Sequence, residues 1–587
     1  MERTKKYFLL SVVSILVLAI GTTLAYFTVR IEGEGKTISV DTANLRIIYT
    51  DTKVISASNI KPGELNETKT FTIKNESDGV YNYNIVIKDF INTFVTNGYL
   101  QYKLESSDGG YNMSEFRDLT KSLNAKDEVL VHNYSIAKDA THTYTLTLVY
   151  TNDENVDQSD DMGKNLYGHI EIEKGTEPTL VYQLLQDKYG RDSRNDFSVV
   201  YTTENTNKLF TTQNTEDGSN VYYFAGNAKN NWVKFGKYAV DSTLWVGYNS
   251  SGASPRDYIE YTYSTESACT SSSYNNNCHK LYSAGDDMYW RIIRTNEEIE
   301  GGGVRLLYAG TSPDTKDGYI DISIYNSVGN DPTYVGYKNG TTGNTTAMDR
   351  TNTNSSTIKG VIDSWYVANL KAAGTTYDNH VNTKAIYCND RSINSKYNYL
   401  TDYNKDMYFA SYERLGNYVG YGGANYNPSY ACGVTKDGFG SYFANESDAN
   451  RKLDKFSADS IVGNGELADA PAALITADEI AFAGGKYDTA NATTWYYLNA
   501  ASTPGSITNN RNWWTMSPYN GRIGNSSANV WFIAGSGRLG RLWDSLNNQG
   551  ISTYLRAVRP VISLNANVIV EGGTGEPTNP YTIKLSD

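Results

Sequence analysis

The chain has 587 residues, 39% hydrophobic and 20% charged, which allows large cores and two or three domains. Acidic residues outnumber basic ones, 65 against 52, for a net charge of −13. With no Lys/Arg-rich run, this argues against a nucleic-acid partner. Tyrosine (49) and glycine (50) are both abundant, which suits many strands joined by turns and also suits adhesive surfaces.

The first predicted element is apolar. After MERTKK, the run from Tyr7 to Val29 carries no charge, and as a helix it would span about 34 Å, enough to cross a bilayer. Arg3, Lys5 and Lys6 precede it, so the positive-inside bias sends the bulk of the chain outward. The membrane is therefore an expected partner through residues 7–29, and the expected location is a cell membrane with an extracellular bulk. Thr23 and Ala25 also offer a cut after Ala25, which would make the chain secreted. Signal removal and anchor retention both stay open.

Residues 36–174 read as strands. LRIIYT, ETKTFTIKN, YNYNIVIKDF, LQYKLESS, HTYTLTLVY and GHIEIE alternate or are β-branched, with turns at Ile60–Glu64 and Ser106–Gly110 between them. In THTYTLTLVY, Tyr144, Leu146, Leu148 and Tyr150 share one face and the threonines the other. A two-sheet antiparallel sandwich buries such strands. His132, His142 and His169 lie here without local ligand spacing, so strand histidines are expected rather than a metal site. On TTLAYFT, NIKPGELNETKTFTIKNES, YNYNIVIKDFINTF, THTYTLTLVYTN and QSDDMGKNLYGHIEI, this part resembles the TasA/camelysin-like secreted proteins of Gram-positive bacteria. The resemblance implies a jelly-roll-like sandwich and, in some members, self-assembly into matrix fibres by strand donation. The protease label once given to relatives is not carried over, because the chain has no HExxH motif.

Residues 175–218 read as a linker containing a short helix, VYQLLQDKY. Strand-like pieces follow: VYYFAG, NWVKFG, DMYWRIIRTNE and VRLLYAG. The last two flank a Gly-rich turn and predict a hairpin with Trp290, Ile292 and Leu306 inward. Ser355–Ala373 is the clearest helix, with Ile358, Ile362, Trp365 and Leu370 on one face and Val361 widening it. Thr476 and Glu479 form a capping-box signature before a helix closed by Gly484 or Gly485. DMYFASYERLG is a third helical stretch. Among the four cysteines, Cys269–Cys278 with Cys388–Cys432 is the simplest of three pairings in an exported chain. A C-x8-C spacing beside His279 alone is weak for zinc.

The segment NRNWWTMSPYNGRIGNSSANVWFIAGSGRLG then predicts an extended stretch closed by a turn at Ser517-Pro518, a Gly-rich hairpin, and a last strand in TYLRAVRPVISLN. Trp513, Trp514, Pro518 and Arg559 are expected to organise the fold, and Arg556 and Arg559 to pair with acids or the C-terminal region. Tyr519, Trp531, Arg538, Arg541 and Trp543 interrupt Gly/Ser/Asn-rich turns, so they are the candidate ligand-binding residues, for a surface glycan or protein. On WWTMSP, SSANVWFIAGSGRLG and AVRPVISL, with YWRIIR and LITADEIAFAGG, residues 219–566 resemble the DUF6273 or Fibrobacter succinogenes paralogous domain. The resemblance implies a fold related in outline to C-type-lectin-like and formylglycine-generating-enzyme-like folds. Residues 567–587 are left as a C-terminal tail or edge strand.

No cysteine follows Cys432, so the redox equipment for formylglycine chemistry is missing from the last core. No Walker loop, dinucleotide fingerprint or G-x-S-x-G elbow is present. No cofactor is expected: calcium at Asp286 or Asp437 competes with a solvated turn. Hidden paired carboxylates of a glycan-active enzyme stay open. The expected protein is a mainly β, multidomain one: an N-terminal transmembrane helix, a jelly-roll-like β-sandwich and a C-terminal α+β, C-type-lectin-like module. Its expected function is non-enzymatic binding or adhesion at a bacterial cell surface, with a matrix or fibre subunit or a glycan-active enzyme as the alternatives.

Overall fold

Alternating apolar residues in the first third of the chain pair into two antiparallel sheets. The computed structural model describes residues 28–30, 37–42, 45–50 and 55–58. It also describes 65–585, apart from runs of up to five residues and the stretches 198–203, 249–259, 297–302, 341–350, 395–406, 417–426, 434–452, 488–494, 496–511 and 541–551. The architecture is mostly β and forms two units, Met1–Pro178 and Thr179–Asp587.

In unit 1 the strands are β1 (Thr28–Arg30), β2 (Thr37–Thr42), β3 (Leu45–Thr50), β4 (Ile55–Ser58), β5 (Leu65–Asn75), β6 (Tyr81–Asn92), β7 (Leu100–Ser106), β8 (Arg117–Asp118), β9 (Ser122–Ile136), β10 (Thr141–Tyr150) and β11 (Asn165–Lys174). One sheet runs β1-β11-β6-β9, with β4 also on β11, and the other runs β2-β3-β5-β10-β7-β8. Period-2 burial in β10 puts Tyr144, Leu146, Leu148 and Tyr150 inside. There they meet Ile85, Ile87, Ile170 and Ile172 of the opposite sheet in one core.

The expected membrane helix is corrected here. Residues 7–27 lie outside the described residues, and no helix among the described residues is long and apolar enough to cross a membrane. The end of the run is extended instead. Thr28 and Val29 pair with Glu173 and Ile172 as β1, because β-branched residues favour a strand wherever backbone partners are on offer. Membrane anchoring through residues 7–29, and the membrane location that rested on it, are not carried further.

Burial also sets a pH response in unit 1. It pushes the His132 imidazole down to about 4 from its ordinary 6.5, and His142 moves the same way for the same first cause. A depressed histidine binds fewer protons folded than unfolded between those values, so its stabilisation is present above the unfolded pKa and declines as pH falls through the window. The expected result is a falling melting temperature for unit 1 between pH 6.5 and about 4, with a shallower fall in His132→Asn. Calorimetry across that range checks it.

Unit 2 opens where a linker was expected. Only 175–178 precede the division. Leu180–Leu184 is helical, and Gly190–Ser193 and Lys208–Gln213 are strands of a ten-stranded sheet. Leu209 and Phe210 carry the segment inside, since both are buried. The sheet continues through Asn220–Tyr223, Asp287–Asn296, Trp232–Lys237, Tyr581–Ile583 and Val570–Gly572. The last residues are thus integral to it: Tyr581 is buried and pairs in parallel with Val233. Asp287–Asn296 and Val304–Gly310 form the antiparallel pair with Trp290, Ile292 and Leu306 buried.

Helix Thr357–Asn369 is capped by Ser356 and buries Ile358, Ile362 and Trp365. Helix Ala477–Phe482 has the full capping box of Thr476 and Glu479. In DMYFASYERLG, Met407–Tyr408 is a strand and only Ala410–Leu415 is helical. Both disulfides, Cys269–Cys278 and Cys388–Cys432, are formed.

Candidate functional site

The sequence segment singled out above lies in a second sheet of unit 2. Its order is Asp321–Ser323, Arg556–Val558, Trp513–Arg522, Ser527–Ile533 and Leu539–Gly540, with Met407–Tyr408 on the far end of Trp513–Arg522. The strand runs through Ser517 and Pro518 with no turn there, correcting the predicted stop. Its ladder shifts register between Trp514 and Pro518 and again before Asn520. At such an irregularity the missing proline N–H is tolerated. Pro518 itself is buried.

Adjacent residues on a strand face opposite ways, so Trp513 and Trp514 project to opposite faces, and both are fully buried. Each meets an arginine rather than an acid partner. Arg559 lies 4.5 Å from the Trp513 ring, with Nε and Nη2 donating to the Tyr308 carbonyl at 3.1 and 3.0 Å. Arg556 lies 5.0 Å from the Trp514 ring. The expected acid partners are replaced by aromatic faces, because the cation's flat surface packs on the negative face of a ring.

The predicted ligand-binding aromatics are inside the core. Tyr519 is 1% exposed and Trp531 0%, so the expectation that they point outward is corrected. Their rings meet edge-on at 4.8 Å, with Tyr412 at 5.1 Å from Tyr519 and Tyr487 at 5.7 Å from Trp531. Trp531 Nε1 donates to Ser411 Oγ at 3.0 Å. Both residues belong to strands rather than turns, and the area each aromatic hides outweighs its one polar atom. Burial also pushes the Tyr519 hydroxyl well above its ordinary pKa. Arg538, Arg541 and Trp543 lie outside the described residues.

The residue that sequence reading misplaced is Arg556. It is 6% exposed and sits in an aromatic box, 3.8 Å from the Phe532 ring centre, 5.0 Å from Trp514 and 5.4 Å from Tyr554. Trp514 and Phe532 pair across adjacent strands and so share its face. Trp514 Nε1 is already committed to the Ser323 carbonyl at 2.8 Å. Arg556 Nε is buried without an acceptor, and no carboxylate among the described residues pairs with this guanidinium. Desolvation lowers its pKa to about 10. The one signal in the sequence was the i, i+2 spacing of Tyr554 and Arg556 at the start of the strand, which places an aromatic beside the cation.

Elsewhere in unit 2, buried carboxylates are tied to arginines. Asp454 binds Arg391. Glu479 binds Arg294 and Arg305, each at 3.1 Å. Asp390 and Asp478 share Arg414, whose Nη2 lies 2.7 and 2.9 Å from one oxygen of each. A hydrolytic carboxylate pair needs room for a sugar or water between its members; here a guanidinium nitrogen bridges them. Burial nonetheless raises the Asp390 carboxyl against the pull of Arg414. His279 Nε2 lies 2.8 Å from buried Asp317, with the His279 side chain 43% exposed, an imidazole oriented by a carboxylate. Among the described residues, no group of three or more His, Cys, Asp or Glu could hold a metal. In unit 1, His142 is hydrogen-bonded to the Tyr83 hydroxyl at 2.7 Å. At Asp286, one of the two calcium candidates, Oδ2 accepts the Ser283 N–H at 2.7 Å in a turn.

No family model matches the chain, and no curated protein matches it. Among solved structures, a Paenibacillus xanthan lyase is 13% identical over 43% of this chain and 23% of its own, with a TM-score of 0.13. An allantoicase is 11% identical over 44% of this chain and 86% of its own, with a TM-score of 0.12. A chaperone–tip adhesin complex of CFA/I fimbriae is 8% identical over 41% and 91%, with a TM-score of 0.06. At such scores these likenesses assign neither a fold nor an activity.

Proposed function

We propose that this chain is a non-enzymatic recognition protein, lectin-like in that it binds without turnover, with unit 2 as its binding module. The observation that carries the reading is Arg556, a buried cation in an aromatic box whose Nε has no acceptor. Fixed polar groups set in apolar, aromatic walls are how binding sites combine affinity with orientation. The two disulfides fit work in an oxidising compartment. Buried carboxylates tied to arginines support the same reading, since they tie separate chain segments together instead of meeting substrate. The test is binding of the intact chain to broad glycan and protein arrays. Saturable binding with the ligand recovered unchanged is the expected result. Silence across both panels, or conversion of a bound glycan, would overturn the proposal.

A further inference from the structure

We infer that Arg556 anchors a carboxylate-binding site, so that the ligand of unit 2 is an organic monoanion held by its carboxylate; this rests on the recognition reading above.

Arg556 differs from the other ring-stacked arginines of unit 2. Arg194, Arg291, Arg294, Arg305 and Arg559 also stack on aromatic rings, at 4.9, 4.3, 5.2, 4.4 and 4.5 Å. Each of these donates in its own plane. Arg194 reaches the Phe482 carbonyl; Arg291 reaches Asn231 Oδ1 and the Ala228 carbonyl. Arg294 and Arg305 reach Glu479, and Arg559 reaches the Tyr308 carbonyl. Arg556 has the stacking, no carbonyl or carboxylate among the described residues accepts in its plane, and its Nε is buried without an acceptor.

Aromatic faces interact with the two faces of a guanidinium. Its N–H donors lie in the plane, at the edge, and stacking leaves them unused. A buried Nε–H without an acceptor is one prong of the fork that a carboxylate completes with two parallel bonds, the second from Nη2. The site carries one positive charge among Trp514, Phe532 and Tyr554, which matches a single negative charge on an organic body better than a multiply charged phosphate. Tyr554 is half-buried, and Leu555, next to Arg556, is 60% exposed. Tyr554, a wall of the box, is thus the side on which the box reaches solvent. The opposing residue across the ladder is Ser323, on the edge strand of the sheet.

A carboxylate can come from a sugar acid or from a peptide, and the test separates them. The intact chain is titrated calorimetrically with methyl glucuronide, with acetyl-aspartate amide and with neutral methyl glucoside. One or both acids are expected to bind saturably, and the neutral sugar not at all. Arg556→Lys keeps the charge but not the paired donors; it is expected to weaken binding by about tenfold or more at an unchanged melting temperature. Absence of acid binding, equal binding of the neutral sugar, or equal affinity in a folded Lys variant each overturns the inference. If the Lys variant does not fold, the unmutated chain decides. Phenylglyoxal modification of the peptide bearing Arg556 is expected to be suppressed by the binding acid, and modification equal with and without it overturns the site. Array ligands that are neutral, and that a folded Lys variant still binds, would leave the recognition reading standing while this inference falls.

Discussion

Asp454→Ala is expected to destabilise unit 2 by about 3–5 kcal/mol, the cost of leaving a buried charge without its partner. The Asp454 and Arg391 side chains are both fully buried. Arg391 Nε and its backbone N–H each donate to Oδ2 at 2.9 Å, Nη2 donates to Oδ1 at 3.0 Å, and Asn352 Nδ2 donates to Oδ1 at 2.9 Å. Removing the carboxylate leaves the buried guanidinium without its counter-charge and the Asn352 Nδ2 without that acceptor. Asp454→Asn keeps the volume and one acceptor, so a smaller loss is expected. The same pair sets an acid limit. Burial alone would raise the Asp454 carboxyl, but Arg391 and its hydrogen bonds hold it at about 2, below the ordinary 3.8. A depressed carboxylate stabilises the fold above the unfolded pKa, and that contribution, about 2 kcal/mol, is lost as pH falls from near 4 toward 2. Urea unfolding of the intact chain, followed by near-ultraviolet dichroism of the buried tryptophans, measures both effects; a loss under about 1 kcal/mol for Asp454→Ala would contradict the account.

Trp531→Ala is expected to cost about 3–5 kcal/mol as well, by opening a cavity in the core. The indole touches Tyr412, Tyr487 and Tyr519 and donates to Ser411 Oγ, so its removal also leaves that hydroxyl without a donor. Trp531→Phe retains most of the packing and should lose less. The measurement is again the unfolding midpoint, read beside array binding. A fully stable Trp531→Ala protein that no longer binds its ligand would restore the exposed role that the sequence suggested. A destabilised one means that lost binding there reports lost structure.

The strands of unit 1 were legible because their cause is local. Period-2 alternation in residues 141–150 is visible one residue at a time, and it dictates which face is buried. The capping box at Thr476 and Glu479 was legible for the same reason, since its partners are three residues apart. Count and spacing of the cysteines pointed to the simplest of three pairings, and that is the one formed. The apolar run before residue 30 was judged by length and absence of charge alone, and that criterion could not register that Thr28 and Val29 had a strand partner more than 140 residues away.

Local pattern therefore settled the mostly β character, the main strands and the principal helices, while the simplest of three cysteine pairings needed the structure to decide it. Three-dimensional packing settled which polar groups are satisfied. Glu479 caps the start of its own helix, yet it also neutralises Arg305 from a separation of 174 residues, and Arg194 finds its carbonyl across 288. Tyr519 and Trp531 looked like turn aromatics until Tyr412 and Ser411 of a distant helix, with Tyr487, packed against them. Arg556 looked like half of an ion pair until its neighbours proved to be rings. Hydrogen-bond satisfaction and burial are sums over everything that surrounds a side chain, and for these residues most of those surroundings come from elsewhere in the chain.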